Sequence, residues 1–108
     1  MTLQQLQTED HRRSALWFLL YDPDYQLSDS MLHSCFIAHG KPLSFDLLQT
    51  TSQWLCEQGL TTATSHNGMD NIALTDRGLE VAKGIVRAVG VRDMRPSEIA
   101  ELKAFKGY

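Results

Sequence analysis

The sequence predicts one mainly α-helical domain that carries a small β-hairpin. Segments with apolar residues at helical spacing follow Ser or Thr residues that can cap a helix, and several of these segments stop at a Gly. Residues 60–64 are rich in β-branched side chains, and the Asn67-Gly68 pair that follows them is a strong signal for a hairpin turn. A chain of 108 residues is also long enough to bury one core without disulfide bonds.

The first helix is predicted at residues 9–21 and is expected to be central. Thr8 can cap it, and the acidic residues of its first turn suit the positive end of the helix dipole. Residues 15–21 (ALWFLLY) are apolar nearly all round, which is typical of a buried helix. Residues 22–24 (DPD) end the helix, because Pro disfavours helical backbone in the residue before it. A short extended segment is predicted at residues 25–27.

Two further helices joined by a tight turn are predicted at residues 29–39 and 45–58. Ser28 or Asp29 caps the first of them, and Gly40 ends it at a position that needs a left-handed residue. Ser44 caps the second, and Gly59 ends it.

The remaining elements are predicted as strands at residues 60–64 and 71–74 and helices at residues 76–89 and 98–105. The strands turn at residues 66–68, and Thr75 or Asp76 caps the helix that follows them. Gly90 is expected to end that helix, and Ser97 to cap the last one. The inward side of the fourth helix is predicted to carry Leu79, Ala82, Ile85, Val86 and Val89.

This order of elements is that of a winged helix-turn-helix. The second and third helices, joined by a few residues that include Gly40, fit a helix-turn-helix, and the hairpin after them fits the wing. The predicted organisation is an N-terminal tail at residues 1–8, a winged helix-turn-helix domain at residues 9–90, and a C-terminal extension at residues 91–108.

Charge is distributed unevenly along the chain. The net charge is −3, which does not favour general nucleic-acid binding. Residues 1–76 hold three basic residues against nine acidic ones, whereas residues 77–108 hold seven basic against four acidic. If the protein meets phosphate, the last third is the better electrostatic contact.

The sequence excludes several other classes of protein. It has no apolar run near the roughly 18 residues that a membrane span needs, and no secretion signal, so we expect a cytoplasmic protein without a membrane contact. Cys35 and Cys56 are expected to be reduced and structural. His33, Cys35 and His39 do not share one helix face, so no metal is expected. No catalytic motif is present, so we predict neither an enzyme nor a cofactor.

The chain resembles bacterial winged-helix regulators and, more closely, a family of small winged-helix proteins of Mu-like phages and prophages. The residues that carry this resemblance are 22–25 (DPDY), His39-Gly40 with Ser44, Thr50, 54–60 (WLCEQGL), 74–78 (LTDRG), 81–84 (VAKG) and Gly90-Val91. The resemblance implies a winged-helix fold, a phage or prophage setting and a presumed DNA-binding domain. Relatives tend to have arginines in the first half of the third helix, where this chain has Phe45, Leu47 and Gln49.

The candidate contacts to DNA are Lys41, Ser44, Gln49, Thr50, Gln53, His66, Asn67, Lys83 and Arg87. Gln can pair with an adenine edge and Thr can touch a thymine methyl, so the outward face of the third helix can read bases. The same face also carries two carboxylates and no Lys or Arg, so an ordinary solvated face is the alternative.

Further basic and apolar residues leave alternatives open. Lys83 and Arg87 lie four residues apart on the predicted fourth helix. They either form a solvated face or, together with Arg92 and Arg95, form a basic strip that contacts phosphate. Arg12 and Arg13 either contact phosphate or balance neighbouring acids. Phe45 and Leu47 either pack against the second helix or form an exposed rim for a protein.

Two functions follow from these features. The leading hypothesis is a phage or prophage regulator of transcription that binds double-stranded DNA, as a homodimer formed through the first helix or the last one (Ile99, Leu102, Phe105). The alternative is a protein-interaction adaptor in phage packaging or assembly that keeps the fold without DNA binding. The missing arginines of the third helix favour the alternative.

Overall fold

The computed structural model describes residues 1–106 and has a mainly helical architecture with a small antiparallel sheet. Its elements follow the chain as α1 (Leu3–Tyr21), β1 (Gln26–Ser28), α2 (Asp29–Ala38), α3 (Phe45–Glu57), β2 (Thr61–His66), β3 (Met69–Leu74), α4 (Asp76–Ala82) and α5 (Pro96–Lys106). The mainly helical class with a hairpin is confirmed. Within the described residues, no helix combines the length and apolarity that crossing a bilayer requires.

The sheet has three strands in the order β1-β3-β2. The segment predicted as extended forms β1, whose Leu27 pairs with Ile72 of β3, and Ala63 of β2 pairs with Ile72 from the other side. Asn67 and Gly68 make the turn with φ angles of 52° and 76°, as the tight hairpin turn requires. The hairpin prediction is confirmed, and both strands continue further toward the turn than predicted.

Helix α1 lies at the centre of the core, as predicted. Leu16, Leu19 and Leu20 on α1 are fully buried. Buried side chains from the other elements complete this cluster, namely Leu32, Phe36, Leu48, Leu55, Leu60, Ile72, Val81, Ala82, Val91 and Leu102. A helix that is apolar nearly all round can contact several neighbours at once, which places α1 between α2, α3 and α4.

The first helix begins at Leu3, before the predicted cap at Thr8. The Thr2 hydroxyl accepts a hydrogen bond from the Gln5 backbone N–H at 3.1 Å, and the Gln5 side chain accepts one from the Thr2 N–H at 2.8 Å. This capping box satisfies two N–H groups at the helix start. The predicted start was therefore wrong, and residues 3–8 are helical.

Helix α4 ends at Ala82, so the prediction of a helix through residue 89 was wrong. Gly84 has a φ angle of +79°, and the N–H groups of Gly84 and Ile85 donate to the carbonyls of Val81 and Glu80, each at 3.0 Å. This pair of hydrogen bonds is the Schellman motif that ends a helix.

The segment after α4 exposes apolar side chains that were predicted to face inward. Ile85 is 68% exposed, Val86 is 39% exposed and Val89 is 98% exposed. Their spacing is helical, but the left-handed Gly84 separates them from the helix. Gly90 therefore lies in a loop. The prediction that it ends the helix was wrong.

Helix α5 begins at Pro96, so Ser97 lies in its first turn. The prediction that Ser97 caps this helix was wrong. Pro is favoured at the first position of a helix because its missing N–H would have no partner there. Leu102 is 2% exposed within the core, so it cannot belong to the predicted dimer face. The Phe105 ring stacks on Tyr21 of α1, with ring centroids 4.5 Å apart.

The end of α3 and the start of α4 are joined by hydrogen bonds. The Thr75 hydroxyl donates to the Gly59 carbonyl at 2.7 Å and accepts from the Gly78 N–H at 3.0 Å, and the Thr75 N–H donates to the Leu60 carbonyl at 3.1 Å. Of the two predicted caps of α4, Thr75 and Asp76, the structure has Thr75 as the N-cap. A Cβ atom added to Gly78 would lie 1.7 Å from the Leu60 oxygen, so this close approach requires a glycine.

Candidate interaction face on helix α3 and the hairpin

The outward face of α3 lies where the sequence predicts it. Its residues are all exposed, namely Asp46, Gln49, Thr50, Gln53 and Glu57. The Ser44 hydroxyl caps the helix by accepting a hydrogen bond from the Leu47 N–H at 3.1 Å. The Thr50 hydroxyl donates to the Asp46 carbonyl at 3.1 Å. Gln49 and Gln53 are the other candidate base readers on this face. Within the described residues, their side chains make no hydrogen bond and are exposed to solvent.

A groove lies between α3 and the hairpin, with a volume of about 400 Å³. We call it the α3–hairpin groove; it is lined by Asp29, Leu48, Gln49, Ser52, Gln53, Cys56, Ala63, Asp70 and Ile72. Leu48 and Ile72 are buried core residues, so the floor of the groove is apolar. Among the residues that the structure describes, none makes a hydrogen bond to the buried Ser52 hydroxyl.

The charged groups that line the groove are carboxylates. The Asp29 carboxylate accepts hydrogen bonds from the backbone N–H groups of Ser30, at 2.7 Å, and Asp70, at 3.4 Å. Residues 42–76 contain no Lys or Arg and contain four acidic residues. The groove and the helix face beside it therefore form a surface of negative potential.

Lys41, the cation next to α3, is bound within the protein. Its Nζ atom lies 2.9 Å from Asp10 Oδ2 and donates to the Ser14 hydroxyl at 2.9 Å. Asp10 also accepts a hydrogen bond from Arg92 Nε at 2.8 Å. Burial opposes ionisation of Asp10, but the hydrogen bonds and charges of Lys41 and Arg92 outweigh it and lower the pKa of this carboxyl.

The two arginines at positions 12 and 13 also make internal contacts. Arg13 is buried, and its guanidinium donates to the carbonyls of Arg92 at 2.6 Å and Val81 at 2.8 Å. Burial lowers the pKa of Arg13. Arg12 lies 3.8 Å from the centre of the Trp54 ring and donates to the Gly90 carbonyl at 3.0 Å. Burial lowers the pKa of Arg12 and the charge of Glu9 opposes this effect, so the predicted balance of a neighbouring acid holds in part for Arg12. Contact with phosphate stays a prediction, and the contacts to carbonyls and to Trp54 were not predicted.

The predicted basic strip on a fourth helix does not form. Lys83 is the C-cap of α4, and Arg87 lies in the loop beyond it, because the helix has already ended. Arg87 is exposed and pairs with Asp93 at 3.6 Å. Arg92 is held by Asp10 and by both oxygens of Glu98, at 2.9 and 3.0 Å. The hydrogen bonds that Arg92 donates to Glu98 raise the pKa of Arg92, which stays charged but is already paired.

The remaining candidates lie at the edges of the face. His66 and Asn67 are exposed at the tip of the hairpin. Phe45 and Leu47 at the start of α3 are 38% and 40% exposed, and Phe45 packs edge-on against His33 of α2 with ring centroids 5.5 Å apart. Both predicted alternatives for these two residues, packing on α2 and an exposed rim, therefore hold in part.

Sequence reasoning missed the carboxylates of the groove. Asp70 and Ile72 are two residues apart on β3, so they share one face of the sheet, and Ile72 is buried. This alternation was the available signal that Asp70 lies beside α3. The position of Asp29 next to Asp70 follows from the pairing of β1 with β3, which the sequence does not reveal.

No metal site is found in the described part of the chain, where no three His, Cys, Asp or Glu residues are grouped to hold an ion. His33 and His39 bind backbone carbonyls instead, at 2.8 Å from Leu43 and 2.9 Å from Cys35 respectively. Cys35 is half-buried, and its burial raises the pKa of the thiol. Cys56 is exposed at the groove as a free thiol.

The fold and the face define a small, mainly helical protein with an acidic groove beside its hairpin. The chain is 35% identical over 94 residues to the uncharacterized protein gp26 of Escherichia phage Mu, a match that covers 87% of this chain and 97% of the Mu protein. The chain belongs to the family of that Mu protein, and it is a Mu-like phage protein. No family model matches the chain, and no solved structure matches it at a significant level.

Proposed function

We propose that the domain is a winged helix. The order of α1, β1, α2, α3, β2 and β3 supports this proposal, as do the short connection between α2 and α3 and the hairpin directly after α3. The third strand, β1, pairs with the hairpin and ties the first part of the chain to it.

We propose that this phage protein acts as a protein-interaction adaptor in packaging or assembly, within the host cytoplasm. It binds its partner through the α3–hairpin groove and the exposed face of α3 beside it. The single observation that carries this proposal is the charge of the face. It presents carboxylates from Asp29, Asp46, Glu57 and Asp70, and residues 42–76, which form α3 and the hairpin, contain no Lys or Arg.

Phosphate chemistry explains why this charge matters. Neutralisation of phosphates by Lys and Arg supplies most of the non-specific affinity of a protein for DNA. Here Lys41 and Arg92 are paired with Asp10, and Arg13 is buried in contacts to carbonyls. A duplex docked on α3 would meet the carboxylates of Asp46 and Glu57, and α3 itself has no Lys or Arg to compensate them. An apolar floor with a polar rim is, in contrast, the usual anatomy of a protein interface.

The test compares the proteins that co-purify from phage-producing cells with the tagged wild type, with Asp70→Lys and with Glu101→Lys. Both variants make the same change of charge on exposed or half-buried positions, but Asp70 lines the groove, whereas Glu101 lies on α5, outside the groove and the face of α3. We predict that one phage protein is retained by the wild type and by Glu101→Lys and is lost from Asp70→Lys. Equal retention by all three would contradict the use of the groove.

A DNA-binding regulator is the second candidate, and the exposed Gln49 and Gln53 side chains favour it. Their amides can pair with adenine edges in a major groove, and Arg77, Lys83 and Arg87 can supply cations from beyond α3. If this candidate is correct, the protein binds duplex DNA with an affinity that falls with salt, and the Gln49→Ala, Gln53→Ala variant binds more weakly.

A further inference from the structure

We propose that the α3–hairpin groove binds the loop at residues 85–89 of a second copy of the same chain. This inference rests on the proposed use of the groove as a protein-binding site, and it names the partner. The contact joins two different surfaces, a groove on one copy and a loop on the next. It is therefore a head-to-tail contact.

The loop has the chemistry that the groove requires. Ile85 and Val89 are β-branched apolar residues whose side chains are largely in water, and Arg87 between them has a side chain that is 86% exposed. Apolar side chains grouped in this way on a small protein commonly mark an interaction site. The pair of Arg87 with Asp93 is long, at 3.6 Å, and exposed, so little free energy is lost when Arg87 changes partner.

The groove complements the loop in both shape and charge. Its floor of Leu48 and Ile72 accepts an aliphatic side chain, and its volume of about 400 Å³ holds more than one. Asp29 and Asp70 at its edge attract the guanidinium of Arg87.

One copy cannot place its own loop in its own groove. The end of the loop is fixed at Gly90, where an added Cβ would lie 2.8 Å from the Trp54 ring and where Arg12 donates to the carbonyl. Trp54 follows Ser52 by two residues on α3, and at about 3.6 residues per turn the two side chains point about 160° apart. The loop is thus held on the side of α3 opposite to the groove.

The geometry of this contact determines how the assembly grows. After one contact forms, a groove remains open on one copy and a loop on the other, so the chain of contacts continues until it closes as a ring or extends as a filament. A loop of five residues buries a small area, so each contact is weak and assembly depends on protein concentration.

The experiment measures the molar mass of the full chain by sedimentation velocity, from low to high micromolar concentration and at low salt. The wild type is expected to grow beyond a dimer as its concentration rises. Asp70→Lys removes a carboxylate that attracts Arg87 to the groove, and the Ile85→Ser, Val89→Ser variant removes the apolar side chains of the loop. Each variant is expected to stay monomeric. The matched controls are Glu101→Lys, which makes the same change of charge on α5, and Leu3→Ser, which removes an exposed aliphatic side chain of α1. Both should assemble like the wild type.

A mixture of the two deficient variants gives the sharpest result. The Asp70→Lys variant keeps a working loop and the Ile85→Ser, Val89→Ser variant keeps a working groove, so the mixture should form a one-to-one dimer that does not grow. Circular dichroism confirms that each variant is folded. A wild type that is monomeric at every concentration would overturn the inference, as would assembly that persists in both variants.

These outcomes separate the inference from the proposed function. If the wild type is monomeric but the co-purified phage protein is lost from Asp70→Lys, the groove is a protein site and only the second copy as occupant is wrong. If Asp70→Lys changes neither the mass nor the co-purified proteins, both proposals fail.

Discussion

Nζ of Lys41 lies 2.9 Å from Oδ2 of Asp10, and this ion pair joins the turn before α3 to the central helix α1. Asp10 also binds Arg92, which in turn binds Glu98 on α5, so one network connects four parts of the chain. The cation nearest to the start of α3 therefore has a structural role. The exposed face of α3 and the hairpin is left with carboxylates, and this distribution of charge underlies the proposed function.

The first prediction concerns the stability of the protein in acid. The pKa values of Asp10 and Glu98 are lowered in the folded protein from ordinary values of 3.8 and 4.5, because ion pairs and hydrogen bonds outweigh the cost of burial. Their contribution to the free energy of unfolding is complete above those ordinary values and is lost as pH falls through the lower values of the folded state. We expect urea unfolding to show a decline in stability that begins near pH 4.5.

The control for this prediction is the Asp10→Asn, Glu98→Gln variant. It should be less stable than the wild type at neutral pH, and the difference between the two proteins should shrink as the pH falls below 3.8. A difference that stays constant down to pH 2 would show that these carboxylates do not stabilise the fold as charged groups.

The second prediction concerns Arg13. Its guanidinium donates to the Val81 and Arg92 carbonyls, and Arg13→Met would leave buried carbonyl groups without these donors. We expect a loss of about 2–4 kcal/mol in the free energy of unfolding, measured by urea titration. Lys103→Met at an exposed position of α5 is the control and should change stability by less than about 0.5 kcal/mol. Equal effects of both substitutions would rule out the structural role of Arg13.

The third prediction concerns the glycine in the first turn of α4. A Cβ at Gly78 would lie 1.7 Å from the Leu60 carbonyl oxygen, so Gly78→Ala must displace the start of the helix from the end of α3. We expect it to cost about 3 kcal/mol or more, as overpacking in a close backbone contact does. Gly40→Ala has no atom within 4 Å of the added Cβ and a φ angle of +73°, so it should cost only about 1–2 kcal/mol. Thermal unfolding of the two variants shows which substitution lowers the stability more.

Local signals in the sequence predict most of the fold. Ser44, Thr75 and Asn67-Gly68 act through hydrogen bonds and backbone angles within a few residues, so their roles can be predicted without tertiary information. The start of α1 was missed because Thr2 and Thr8 are both possible caps, and the reciprocal bond with Gln5 selects Thr2. The end of α4 was missed because Ile85 and Val89 continue the helical spacing beyond the actual end.

The candidate site was predicted less well, since it depends on contacts between distant residues. The exposed Gln49 and Gln53 were found from the helix pattern alone. The internal contacts of Arg13 with Val81 and of Lys41 with Asp10 could not be predicted, because the two residues of each pair lie far apart in sequence. The groove likewise needs the packing of α3 against the hairpin, which no short motif specifies.

The proposal that the face of α3 and the hairpin binds a protein and not DNA has one decisive test. It is the affinity of the protein for a random DNA duplex as a function of salt concentration, measured by fluorescence anisotropy. Because residues 42–76, which form α3 and the hairpin, contain no Lys or Arg, we predict no salt-sensitive binding at micromolar concentration. Binding that falls with salt at a logarithmic slope of about −0.9 per phosphate contact, and that weakens in the Gln49→Ala, Gln53→Ala variant, would contradict the account and favour a DNA-binding regulator.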